Sequence, residues 1–146
     1  MSNEEPFLVI ADDVPDVLRT LAIRARRLGF SIHPCTTVDE AKLAIDQHLK
    51  AKELAGVISD LKITGGQDDG WGVLGHAYRQ SKAVRLALYT GFGQEPVHEL
   101  FRSGAAVPSF TVFLKGDDDE KLEEWLRGLR ESWDDRIAAL TLKKGP

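Results

Sequence analysis

Five short apolar runs set the pattern of this chain, separated by longer stretches in which apolar residues recur every three or four positions. The runs are Phe7 to Ala11, Phe30 to Cys35, Val57 to Ser59, Val84 to Tyr89 and Thr111 to Leu114. Each is short, mostly apolar and bounded by loop residues, the signature of a strand buried in a parallel sheet. Between the runs the period becomes helical. Val17, Leu18, Leu21, Ala22, Ala25 and Leu28 form one apolar face of a helix that opens at Val14-Pro15-Asp16, with Asp13 as its cap, and stops at Gly29. Thr36-Thr37 ahead of Val38, Asp39 and Glu40 is a capping signal for a second helix reaching about Leu49. Further helices are predicted from Trp71 to Gln80, after the polar loop Thr64 to Gly70, and from Pro96 to Arg102, ended by Gly104. The acidic run Asp117 to Glu120 suits the positive dipole end of a last helix.

Strands alternating with helices imply an α/β fold, a doubly wound parallel sheet with right-handed crossovers. In such a sheet every strand ends on the same edge, where ligands bind. Asp12, Asp13, Asp60, Thr90 and Lys115 all follow or close predicted strands, so they should converge there. Asp60 alone would read as a loop residue capping the next turn of chain. Its company changes that reading. Three carboxylates on one edge repel, so they either shift their pKa values or hold a cation, and an all-oxygen set favours Mg²⁺. The Lys115 ammonium and Thr90 hydroxyl suit phosphoryl oxygens. Acid, metal, cation and hydroxyl together describe phosphoryl transfer to a carboxylate.

Composition narrows the setting. The chain has 146 residues, 42% hydrophobic and 29% charged, which suits one domain with a proper core. A single cysteine, Cys35, excludes an internal disulfide, and no apolar stretch is long enough for a membrane span or a secretory signal, so a cytoplasmic location is expected. A formal charge of −4 gives no electrostatic footprint for nucleic acid. Arg19, Arg24, Arg26 and Arg27 lie around the polar side of the first helix and read as a solvated face.

The paired acids, the strand-terminal Asp60, Thr90 and Lys115 come in the order that marks one family. Over residues 6–130 the chain resembles a receiver domain of the two-component response regulators, and Gly104-Ala105 resembles that family's Gly-Ala before the last strand. The resemblance implies a flavodoxin-like five-stranded parallel sheet of order 2-1-3-4-5. It also implies Asp60 as phosphoacceptor, Asp13 as direct Mg²⁺ ligand and Asp12 acting largely through water. The Lys62 carbonyl would join the metal shell, while Lys115 and Thr90 would hold the phosphoryl group. The implied partners are a sensor histidine kinase or phosphotransfer protein and a downstream protein target.

The chain departs from that pattern in places. Gly116 follows the lysine where family members usually carry a proline after a cis bond, so the Lys115-Gly116 bond is either trans or cis and strained. Val112 stands where the family's switch aromatic lies, and Phe113 should face the other side of the strand. Lys115 is expected at an exposed edge, so that its substitution changes stability by no more than about 0.5 kcal/mol.

Residues 131–146 form an extension. Leu122, Leu126, Leu129, Trp133, Ile137 and Leu140 make an apolar stripe down a helix of roughly 24 residues, about 36 Å long, of which only the first half should lie on the sheet. The second half folds back on its own domain or pairs with a second copy, and a homodimer through this helix is expected. Only Lys143-Lys144-Gly145-Pro146 follow Leu142, so no output domain is expected. The reading is a single-domain receiver that is not an enzyme and signals by contact. The alternatives are a degenerate receiver serving as a phosphorylation-independent interaction module, or an aspartate-nucleophile phosphatase. The latter normally needs a second acid two residues after the nucleophile, where this chain has Lys62.

Overall fold

The computed structural model describes residues 5–63, 69–91 and 110–144, with side chains beyond Arg136 left out. Its elements run β1 (Phe7–Ala11), α1 (Pro15–Arg27), β2 (Ser31–Cys35), α2 (Val38–Lys50), β3 (Leu54–Ser59), α3 (Asp69–Gln80), β4 (Arg85–Thr90), β5 (Thr111–Leu114) and α4 (Asp119–Lys144). The five strands form one all-parallel sheet of order β2-β1-β3-β4-β5. The predicted helix at 96–102, Gly104-Ala105, most of the stretch from Ala106 to Phe110 and most of the Thr64 to Gly70 loop lie outside the described residues.

Alternation along the strands sorts the core into two layers. Val9, Val57, Leu86 and Leu88 face α2 and α3, where Ile45, Trp71 and Leu74 close over them. Leu8, Ile10, Ile58, Tyr89 and Phe113 face α1 and α4, meeting Leu21, Leu122 and Leu126. Every residue of β3 is buried, which explains why its sequence reads as an unbroken apolar run. The strand begins at Leu54, three residues before the predicted run, because Leu54 and Ala55 are as buried as Val57. Each fully buried leucine or isoleucine contributes roughly 1.5–3 kcal/mol, and both layers contain several.

Helix ends follow local chemistry. At α2 the Glu40 N–H donates to Thr37 Oγ1 at 3.1 Å, while Glu40 Oε1 accepts from the Thr36 hydroxyl at 2.8 Å, close to a reciprocal capping box. At α1 the expectation fails. The cap residue is Val14, no side chain caps the helix, and Asp12, not Asp13, accepts the Val14 N–H at 2.9 Å. Asp13 instead joins the acidic cluster at the sheet edge.

The last helix runs for 26 residues. Leu122, Leu126 and Leu129 are buried on the sheet, and the half-buried Trp133 packs against the same cluster, one turn further than the first half of the helix was expected to reach. Arg136 lies over the Trp133 ring at 5.1 Å. Arg130 Nε donates to the Gly29 carbonyl at 2.9 Å, clasping α4 to the turn after α1. Gly29 takes φ +97°, a conformation that glycine adopts without strain. The stripe therefore folds back on its own domain as far as Trp133, while the side chains of Ile137 and Leu140 lie outside the described residues. No described helix is long and apolar enough to cross a membrane.

Candidate acidic site at the carboxyl edge of the sheet

Three backbone hydrogen bonds continue the ladder just past the strand ends and bring the site together. The Asp12 N–H donates to Cys35 O at 3.0 Å, the Asp60 N–H to Ala11 O at 2.8 Å and the Lys115 N–H to Thr90 O at 2.9 Å. Residues distant in sequence are thus held on one edge by β1, β3, β4 and β5.

The Lys115 ammonium sits between two carboxylates. Its Nζ donates to Asp60 Oδ2 at 3.0 Å and lies 2.8 Å from Asp12 Oδ2. The second contact is an ion pair out of hydrogen-bond alignment, and Asp12 Oδ2 is buried with no hydrogen bond of its own. Asp60 Oδ1 accepts the Leu61 N–H at 2.7 Å. Asp13 is exposed, and its carboxylate falls with those of Asp12 and Asp60 within 4.8 Å.

Burial and the close carboxylates pull against each other in the electrostatics of the site. Asp12, 1% exposed, has its pKa raised by desolvation, opposed by the Lys115 contact and the Val14 N–H and reinforced by the charge of Asp60. For Lys115 burial alone would lower the pKa, but its close contacts with the Asp12 and Asp60 carboxylates and their negative charge outweigh it and hold the pKa above its usual value. Only 23% of the Lys115 side chain is exposed, so the lysine is not the exposed edge residue that was expected. Its two partners draw it inward.

The donor set fits a hard divalent cation. At an effective dielectric of 20, two carboxylates within 4.8 Å of each other repel by about 3.5 kcal/mol or more, and a single lysine leaves the cluster two charges negative. The unbonded lone pairs of Asp12 Oδ2, together with Asp13, supply oxygen ligands of the kind Mg²⁺ prefers.

Thr90 is buried at the end of β4 and pairs with Leu114, the residue before Lys115. Lys62 stands exposed in the loop leaving β3. Val112 packs on the α3 side and Phe113 on the α1 and α4 side, as alternation required. No described peptide bond is cis, Lys115-Gly116 included, and Gly116 takes φ +86°.

Sequence reasoning missed Gly70. Its N–H donates to Leu61 O at 2.9 Å, and a Cβ there would stand 1.7 Å from the Asp60 carbonyl oxygen. Only a residue without a side chain lets α3 start so close to Asp60. The glycine was visible in sequence as the last loop residue, but nothing there signalled the contact.

No protein-family model and no curated protein matches the chain. Solved structures do. The signal receiver domain of an HD domain-containing protein from Pseudomonas fluorescens Pf-5 is 22% identical, with a TM-score of 0.69 over 90% of this chain and 99% of that one. The response regulator TrrA from Thermotoga maritima, in complex with Mg²⁺ and BeF, is 22% identical with a TM-score of 0.64, covering 85% of this chain and 98% of that one. A beryllofluoride-activated NtrC4 receiver-domain dimer is 16% identical with a TM-score of 0.66, covering 87% and 98%. The chain therefore has the fold of the response-regulator receiver domains.

Proposed function

We infer that the chain is a phosphoacceptor receiver that takes a phosphoryl group on Asp60 from a histidine kinase or phosphotransfer protein, in a Mg²⁺-dependent reaction. The observation that carries this is the Lys115 ammonium, held 3.0 Å from Asp60 and 2.8 Å from Asp12 beside a third carboxylate. In the transfer, an Asp60 oxygen forms a bond to phosphorus as the P–N bond of a donor phosphohistidine breaks. The product is a mixed anhydride, and the electron pair leaves with the imidazole, which takes a proton.

Asp12, Asp13 and Asp60, with the Lys62 carbonyl, would hold Mg²⁺, which when bound neutralises charge on the incoming phosphoryl group. Lys115 supplies a positive charge for the transferred oxygens. Thr90 sits one strand over, where its hydroxyl can donate to them. The protein is loaded once and does not turn over substrate, so the output is a change of contacts. A homodimer through α4 belongs to the same reading, supported by the activated receiver dimer among the similar structures. Light scattering across a dilution series, with and without the residues from Ser132 onward, tests it. A strictly monomeric mass at high concentration rejects the dimer.

Intact-mass measurement with Mg²⁺ and a small phosphodonor tests phosphorylation. One phosphoryl group should add to the wild type and none to Asp60→Asn. An unchanged wild-type mass, or equal labelling of the variant, rejects the reading.

A further inference from the structure

One carboxylate ties the turn that carries Lys115 to two other elements. Asp119 Oδ1 accepts the Tyr89 hydroxyl at 2.7 Å and the Gly116 N–H at 3.1 Å. Its Oδ2 lies 3.7 Å from Arg24 Nη2 on α1, and Arg24 Nη1 lies 3.7 Å from Glu123 Oε1 on α4. Tyr89 immediately precedes Thr90, and Lys115 Nζ stands 5.9 Å from the centre of its ring. Burial, with the bond to Asp119, pushes the Tyr89 pKa up to about 12, so at neutral pH the hydroxyl is always a donor.

The turn has little slack. Lys115 is anchored through its N–H to Thr90 O at 2.9 Å, and the Leu114 N–H donates to Asp118 Oδ2 at 2.8 Å. The Asp118 N–H returns to Leu114 O at 2.9 Å. Gly116 follows the lysine directly and already uses its N–H on Asp119. Lys115 and Asp119 are thus joined through one residue and a short hydrogen-bonded turn, not through a loose loop. Val112 offers no polar group and lies in the other core layer, so it cannot carry the same message.

We propose that Asp119 is a positioning residue that transmits the state of Lys115 to Arg24, so that the face shared by α1 and α4 reports phosphorylation. This rests on the reading of Asp60 as phosphoacceptor. The ammonium now divides itself between Asp12 and Asp60. A phosphoryl group on Asp60 adds anionic oxygens that compete for it and draw it from Asp12. Gly116 moves with the lysine, and Asp119 redistributes its bonds among Gly116, Tyr89 and Arg24. The Arg24 pairs with Asp119 and Glu123 are long and partly solvated, so they are weak enough to rearrange.

The test is hydrogen exchange by mass spectrometry on the full chain, before and after Mg²⁺ and a small phosphodonor, with intact mass read on the same samples. In the wild type, phosphorylation should change exchange at least twofold in residues 15–27 and 119–130. Tyr89→Phe and Asp119→Asn should label to the wild-type extent and lose at least half of that change. Arg24→Gln, which removes the last link without touching the turn, should do the same. A purely structural role would lower the melting temperature and leave the exchange response intact. Full retention of the response in labelled Tyr89→Phe and Arg24→Gln overturns the proposal. So does a wild type that labels without changing exchange in these helices. A wild type that fails to label removes the underlying reading, and intact mass alone distinguishes that outcome.

Discussion

Lys115 is the counter-charge of a buried acidic pair, and its removal has consequences that a surface lysine would not have. Lys115→Ala leaves the Asp12 and Asp60 carboxylates facing each other without a cation. Removing one partner of a buried pair costs about 3–5 kcal/mol, and partial solvent access here lowers the expectation to about 1–3 kcal/mol. Mg²⁺ should restore part of that loss, which thermal unfolding with and without the ion will show. Gly70→Ala makes a different kind of fault. With a Cβ built 1.7 Å from the Asp60 carbonyl oxygen, either the start of α3 or the loop leaving β3 must move. Overpacking of this sort costs about 1–3 kcal/mol, and phosphodonor labelling should fall together with the melting temperature. Retained stability with normal labelling would show that α3 yields without disturbing Asp60.

At the scale of elements, the cap of α2 offers the cleanest measurement. Thr37→Ala removes the acceptor of the Glu40 N–H and should cost about 1 kcal/mol, read as a lower denaturant midpoint at unchanged slope. That cap was legible in sequence because Thr37 and Glu40 stand at the spacing a reciprocal cap requires. β1 was legible to the residue because Pro6 and Asp12 bound Phe7–Ala11, and the end of β5 because Lys115-Gly116 follows Leu114. The cap of α1 was not legible. Asp12 and Asp13 are adjacent acids, either of which can reach an N–H at the helix start, and only the packed edge decides that Asp12 does so while Asp13 faces the cluster. Trp133 was misplaced for a related reason. Periodicity shows which face of a helix is apolar but not how far a neighbouring layer extends, and here that layer still supports Trp133.

For the molecule as a whole, the acidic and basic members of the site were readable because parallel topology places every strand end on one edge. The close packing of Gly70 and the bonds to Asp119 were not, since both depend on contacts between elements. Burial between elements also sets the response to alkali. Burial pushes the Cys35 thiol from 9.0 to about 12 and, with Asp119, Tyr89 from 10.0 to about 12. Lys115 is also raised above its ordinary value. In each case the folded chain keeps a proton that the unfolded chain releases, so stability falls as pH climbs from about 9 toward 12. Equilibrium unfolding should show this slope, and Tyr89→Phe should flatten its upper part. A flat profile would mean that these groups are solvated in the folded chain. Cys35 should also resist alkylation at pH 8 until the chain unfolds.

The cation of the site arrives on the four-residue strand at the edge of the sheet, while the acids follow the central strand β3 and its neighbour β1. Edge strands open at lower free energy than central ones. When β5 detaches, Lys115 leaves with it, and Asp12 and Asp60 remain on a sheet that is otherwise intact. Competence to accept phosphate would then be lost in a sub-global opening, at temperatures where circular dichroism still reports a folded chain. On the phosphoacceptor reading, the response would fail on warming before the protein melts.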